Sequence, residues 1–366
     1  MSSQLFSGPT QRPRTAPLLC LLLLVSGLAA QTTVSIPCDR DNTLYESANG
    51  TLSNGSGMGL FVGYTGQPLK HRALLHFNVA AIVPAGARII SAILKVNTSR
   101  SSVGNSFPVY THRVLRNWGE GTSNASNQEG QGAVATTNDA TWRHARYPST
   151  LWTTLGGDFL IPPDCTLPIA SLGPSQTPIT AAINTTVQLW LDQPLQNFGW
   201  LLKTDELTPY LAFRIDSREA PAPGIKASLV VSYLLPGQPA ASWGQGCTSS
   251  SSTGPFLQAM LGAPISGTTV TLTETYGPAN SLAANLLSIG FDPAGAPLLS
   301  QCSLFLPLDT TMVTLGLLVL DASGFGATPL PLPAGFFGMQ LTGQSVALDA
   351  SPAGFVLSNA WLAVVN

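Results

Sequence analysis

Residues 72–96 read RALLHFNVAAIVPAGARIISAILKV. Two apolar runs, 73–79 and 89–96, stand either side of Pro84-Ala85-Gly86. Proline fixes its own φ and has no N–H to give a ladder, and glycine accepts the positive φ of a tight turn, so the chain reverses there. The flanking runs are rich in Ile, Val and Leu and too short for stable helices, which makes them strands. The same grammar recurs outward. Runs at 60–63, 107–114, 199–202, 211–215 and 227–235, and later at 268–275, 283–289, 312–320, 338–341, 345–348 and 360–365, end at Gly, Pro, Asn or Ser. One stretch breaks the pattern: in ITAAINTTVQLWLDQ (179–193), Ile183, Val187, Trp190 and Leu191 recur at helical spacing, and Pro194 ends the run.

The expected fold class is therefore all-β: a jelly-roll-like β-sandwich followed by a second, smaller β-sandwich. The division falls at Leu235-Pro236-Gly237-Gln238-Pro239, where Pro and Gly interrupt a strand and a serine run follows. The expected units are a signal peptide at 1–30, a first module at 31–235 and a second at 236–366. No internal repeat of 20–50 residues is visible, which disfavours a solenoid or propeller.

Composition limits the partners. Only 9% of the 366 residues are charged, where about 25% is usual. Every Lys and Arg precedes Pro236, and beyond it stand only Glu274, Asp292, Asp309, Asp321 and Asp349. A near-neutral chain with a cation-free third is a poor nucleic-acid binder. At the N-terminus, Arg12 and Arg14 precede an uncharged apolar run, 16–28, and small residues at Gly27, Ala29 and Ala30. That is the form of a secretion signal, and the run is short of the roughly 20 residues of a permanent span. The expected location is extracellular or cell-surface, with no membrane span. Export leaves four cysteines, Cys38, Cys165, Cys247 and Cys302, and the simplest pairing within modules is Cys38–Cys165 and Cys247–Cys302.

Several blocks of the first module, in order, resemble the DNRLRE domain family of secreted bacterial proteins. They are DNTLYE (41–46), SNGSGMGLFVG (53–63), the 72–96 segment with Asn78 where the family usually has Asp, WGEG (118–121), DATW (139–142), Trp152 followed by GGDF (156–159), and the closing segments VQLWLDQPLQNFGWLL and IDSREAPAPGIKASLVVSY. The resemblance covers most of 34–235. It implies a jelly-roll, and because some members are similar to modules that bind uronic-acid polysaccharides, it implies carbohydrate binding. The second module, on GQGC (244–247), Gly254-Pro255 and Cys302, looks like a C-terminal β-domain of exported bacterial proteins; no function follows from that likeness.

Sugar recognition on a sandwich needs aromatic faces for C–H groups and polar side chains for hydroxyls. The candidate ligand-binding set is Trp118, Glu120, Trp142, Arg143 and Trp152, with Arg suited to an acidic sugar. The competing reading is that these tryptophans pack the core, where Trp usually lies. Asp39, Asp41 and Asn42 are the candidate calcium ligands, joined across the fold by Asp139 and Asp216, although their spacing is not that of an EF-hand. Arg72, on a strand, is expected to pair with a carboxylate. No G-x-S-x-G or H-E-x-x-H is present, and Glu120 with Asp139 is the one carboxylate pair considered for glycoside cleavage. The expectation is a secreted, non-catalytic carbohydrate-binding protein. The alternatives are a structural or adhesive protein packing against surface or matrix partners, and a glycan lyase or hydrolase.

Overall fold

In a computed structural model, the structure describes residues 32–65, 69–221, 226–235, 240–300, 302–337 and 339–365. The expected signal peptide and the Pro236–Pro239 boundary segment lie outside the described residues.

The fold is all-β and antiparallel. Strands β1 (Thr32–Pro37), β2 (Arg40–Tyr45), β3 (Leu52–Ser53), β4 (Gly59–Tyr64), β5 (Lys70–His76), β6 (Arg88–Ser101) and β7 (Phe107–Arg113) come first. After them come β8 (Ala133–Val134), β9 (His144–Arg146), β10 (Thr150–Leu151), β11 (Cys165–Ile169) and β12 (Gly173–Gln176), then helix α1 (Ala181–Asp192). Next are β13 (Trp200–Lys203), β14 (Leu211–Asp216) and β15 (Ser228–Leu234). One curled sheet runs β1-β15-β6-β14-β4-β5-β13-β7-β11, with β2 on the other edge of β5. Strand β4 meets β5 at Lys70 and His71, while β13 meets it at Ala73 to Leu75. The sheet divides there into two layers.

Both layers face one core. Leu60 and Val62, Ala73 and Leu75, Trp200 and Leu202, and Phe213 and Ile215 enter it, each pair two residues apart as strand geometry requires. Helix α1 closes the core with Ile183, Val187, Trp190 and Leu191, the face its spacing predicts. Its N-terminus is capped by Thr180, whose side chain accepts from the Ile183 N–H at 3.3 Å.

The second layer is apolar on its outer side as well. Leu44, Leu74 and Leu201 point away from the main core into a separate cluster with Trp118, Trp142 and Trp152. The long connection from β7 to β11 thus folds over the outside of this layer. The apolar run ALLHF, without alternation, is the sequence sign of a strand buried on both faces.

The remaining strands pair only among themselves among the described residues. They are β16 (Ala241–Trp243), β17 (Leu257–Leu261), β18 (Thr269–Thr275), β19 (Leu282–Ser288), β20 (Val313–Val319), β21 (Gly326–Pro331), β22 (Gln340–Leu348) and β23 (Phe355–Val364). A five-stranded sheet, β16-β23-β22-β19-β20, faces a three-stranded one, β17-β18-β21. The two short strands expected at 338–341 and 345–348 belong to one strand, β22. Gly343 sits inside it because a Cβ there would lie 2.2 Å from the Trp361 ring on β23. The two sets of sheets meet through Ile90 and Leu234 against Ala241 and Leu362.

Cys247 and Cys302 form a disulfide. Cys38 and Cys165 do not pair, contrary to expectation, and both are buried thiols. Cys38 lies just after β1 and Cys165 begins β11, the two ends of the sheet's strand order. The Cys38 thiol instead donates to the Arg40 carbonyl at 3.3 Å.

Candidate functional site

The structure does not present the three sequence-predicted tryptophans as a platform. Trp118, Trp142 and Trp152 are 0%, 6% and 5% exposed. Two of the indole N–H groups are satisfied within the fold: Trp118 Nε1 donates to the Phe198 carbonyl and Trp152 Nε1 to the Thr141 carbonyl, both at 2.8 Å. Arginines cover two of the rings, with the Arg40 guanidinium 4.3 Å from the centre of Trp118 and that of Arg72 4.6 Å from Trp142. Burying one such side chain is worth on the order of 4–6 kcal/mol before ordering costs. That decides the contest in favour of packing over the outer face of the second layer.

Glu120 is likewise committed. Arg218 grips its carboxylate with two bonds of 2.6 and 2.8 Å, and Glu120 Oε1 also accepts the Asp41 N–H at 2.8 Å. Of the five predicted ligand-binding residues, Arg143 alone is exposed. The other member of the carboxylate pair considered for glycoside cleavage, Asp139, accepts from Thr136 Oγ1 at 3.0 Å and is buried.

The proposed calcium ligands do not converge either. Asp39 pairs with His76 at 2.6 Å. Asp41 accepts the Arg218 N–H at 2.7 Å, and burial holds its carboxyl well above the usual range. Asn42 spends its carbonyl on the Thr43 N–H, Ser53 Oγ and Asn54 N–H, and its amide on the Glu120 carbonyl. Asn42 thus acts as a turn clamp between strands. Asp216 pairs with Asn97 and Arg214 on another layer. Among the described residues no group of three or more His, Cys, Asp or Glu side chains is placed to hold a metal. Arg72 does find the expected carboxylate: Glu206 accepts from its Nε at 2.6 Å and from its Nη2 at 2.8 Å.

The better-formed site lies on the outer face of the first layer, where it turns into β5. Because Leu60 and Val62 face the core, Phe61 faces out; because Phe213 and Ile215 face the core, Arg214 faces out too. These two side chains, with His71, Arg100 and Glu129, line a cavity of about 390 Å³, within the span typical of small-ligand pockets. Phe61 and His71 meet edge to face at 6.2 Å, and Tyr45 backs His71 at 4.8 Å. The aromatic wall is thus braced from behind.

Its polar wall is held rigidly. Arg214 donates from Nε and Nη2 to Glu129 Oε2 at 3.0 and 2.7 Å, and Glu129 Oε1 accepts the Met58 N–H at 2.6 Å. Tyr45 donates its hydroxyl to the Glu129 carbonyl at 2.6 Å, fixing the same segment. His71 is only 3% exposed, and its Nδ1 has no hydrogen-bond partner. Burial lowers its pKa to about 4, so the ring is neutral near pH 7. Arg100 is exposed and stands opposite Arg214 across the β6–β14 ladder. No carboxylate pairs with Arg100 among the described residues, so it supplies the uncompensated positive charge at this rim.

None of Phe61, His71, Arg100, Glu129 and Arg214 belongs to the ligand-binding set that the sequence predicts. Phe61 stands in GLFVG, where every neighbour is apolar and nothing local marks which face is outward. Glu129 reaches the site from a 3-10 turn, Ser126–Gln131, remote in sequence from the strands it serves. No protein-family model and no curated relative matches the chain.

Proposed function

We propose that this chain is a secreted, non-catalytic glycan-binding protein whose sugar subsite is the Phe61–His71–Arg214 pocket, with a preference for acidic polysaccharide. The observation that carries the reading is the combination in one cavity of an outward aromatic ring, a clamped Arg214–Glu129 pair and the free cation Arg100. An aromatic face suits sugar C–H groups, the fixed polar wall offers oriented hydrogen bonds, and a free guanidinium suits a carboxylate or sulfate. The resemblance to the DNRLRE family and the leader-like N-terminus support the same reading. Among the described residues the one carboxylate lining the cavity, Glu129, is held by Arg214 and by a backbone N–H, which favours binding over acid–base catalysis.

Retention of the wild type, Phe61→Ala and Arg100→Ala on a panel of neutral and anionic polysaccharides tests it. Phe61→Ala should abolish retention with the circular dichroism spectrum unchanged. Arg100→Ala should weaken binding to anionic glycans selectively, and chelator should change nothing. Undiminished retention by Phe61→Ala would remove the site.

A second reading, a structural or adhesive surface protein, gains from the burial of all three tryptophans and from the uncharged open edge of β20.

A further inference from the structure

A cleft of about 340 Å³, a volume typical of small-ligand pockets, runs between helix α1 and the second set of sheets. One wall is the face of α1 opposite its core side, and from Ala181 to Asp192 it spans roughly 16 Å at helical rise. The start of β6 forms the floor, and Phe291 and Gln340 close the cleft from the second set. Trp243 braces Phe291 edge to face at 5.4 Å. Most polar side chains here are committed to the fold. Asn184 accepts the Ala92 N–H and donates to the Ile90 carbonyl, both at 2.8 Å. Gln188 accepts the Ile89 N–H at 2.8 Å and donates to the Ala87 carbonyl at 3.1 Å. Two charges are left over. Asp192 accepts one bond, from Gln188 Nε2 to its Oδ1 at 3.0 Å. It ends α1, where the helix carbonyls already gather partial negative charge and no basic residue stands in the last turn. Arg88 lies at the same end, because Gln188 bonds the residues on either side of it. Its Nε donates to Gln340 Oε1 at 3.0 Å, and its two Nη atoms make no hydrogen bond among the described residues. Neither Arg88 nor Asp192 forms an ion pair among the described residues.

We propose that this cleft binds a small zwitterion, an α-amino acid whose carboxylate meets Arg88, whose ammonium meets Asp192 and whose apolar side chain lies along α1 against Phe291. The leftover charges select the head group. A simple anion would leave Asp192 unmatched at the negative end of the helix. A simple amine would leave Arg88 unmatched, and a neutral sugar would leave both. A zwitterion answers the two together. With Nε turned to Gln340, the Nη1 and Nη2 groups of Arg88 present the parallel donors that a carboxylate accepts in pairs. Asp192 Oδ2, which has no partner among the described residues, remains for an ammonium. Ile90, Leu189 and Phe291 supply the apolar surface beside the charges. Because Phe291 and Gln340 belong to the second set of sheets and Arg88 and Asp192 to the first, the ligand touches both. The cleft shares no lining residue with the glycan pocket, and the inference is independent of that reading.

The test is titration calorimetry of the full chain with L-leucine and L-phenylalanine, and with N-acetyl-L-leucine and L-leucinamide, each of which lacks one of the two charges. The wild type should bind both amino acids, and each capped compound about tenfold more weakly than leucine. Asp192→Asn should weaken leucine by a similar factor and leave N-acetyl-L-leucine unchanged. Arg88→Gln should weaken leucine likewise and leave L-leucinamide unchanged. Both side chains are exposed, so the variants should fold, as judged by an unchanged thermal transition. Absence of binding by either amino acid throughout the millimolar range would overturn the proposal. So would capped compounds that bind as well as leucine, or leucine binding that survives both substitutions.

Discussion

Phe61 and Arg214 are direct cross-strand partners in the β4–β14 ladder, and their side chains share the outer face of the first layer. Partners this close would ordinarily stack. Here the guanidinium is drawn to Glu129, Ser99 and Asp216, which leaves the ring available to a ligand. Arg214→Gln removes both bonds to Glu129 Oε2 and leaves a carboxylate of 10% side-chain exposure without its cation. The expected cost is about 2 kcal/mol of stability, together with loss of glycan retention as the Ser126–Gln131 turn loosens. Arg214→Lys, which keeps the charge but not the fork, should fall between the two. Chemical denaturation and affinity electrophoresis on the same samples check both parts.

The elements that were legible in the sequence are those set by local periodicity. The 179–193 helix, with Ile183, Val187, Trp190 and Leu191 inward, could be read because four apolar residues at helical spacing meet a proline. The strands on either side of Pro84 could be read for the same local reason. What stayed hidden depends on which elements the tertiary fold places over which. Trp118, Trp142 and Trp152 have the composition of a binding surface, yet their position over Leu44, Leu74 and Leu201 is a property of the long connection's path. Even cysteine count and predicted export did not fix the Cys38–Cys165 pairing, because strand order decides which cysteines are neighbours.

His71 links pH to stability. Its folded pKa, about 4, lies below the ordinary 6.5 because the ring is desolvated. A depressed histidine favours folding above its unfolded pKa, where the ring is neutral in both states. Below that value the unfolded chain takes up the proton first. Stability should therefore fall as pH drops from 6.5 toward 4 and level off below it, by about 3 kcal/mol for this group. His71→Phe should flatten that part of the profile, measured as denaturation midpoints across the window. A profile unchanged by the substitution would show that other groups produce the slope.

Glu274 gives the opposite sign. It is 0% exposed on β18, and its Oε1 accepts from Gln258 Nε2 at 3.0 Å while Oε2 has no partner. Desolvation raises its pKa, and no Lys or Arg beyond residue 236 is there to offset it. A carboxyl with a raised folded pKa contributes stability that is whole below the unfolded pKa and is lost as pH rises through the folded one. Glu274→Gln keeps the shape and the hydrogen bond but cannot ionise. The variant should match the wild type in acid and surpass it increasingly toward neutral pH. Thermal melts at several pH values would show the two curves separating upward, and parallel curves would mean the carboxyl is already neutral throughout.

The four cysteines from Cys38 onward should behave as two kinds. Cys38 and Cys165 are buried thiols, and burial pushes the Cys165 pKa up to about 11, so little reactive thiolate exists near neutrality. Alkylation of the folded protein should leave both untouched, and unfolding without reductant should expose both, as peptide mapping would read. Cys247 and Cys302 should react only after reduction. Their bridge closes a loop with a sequence separation of 55, so Cys247→Ala with Cys302→Ala should cost about 4 kcal/mol in the chain-entropy account. Because the bridged cysteines belong to the β16–β23 set of sheets, that loss should appear in its unfolding transition. A Cys38–Cys165 peptide recovered without reduction would instead restore the pairing expected from export alone.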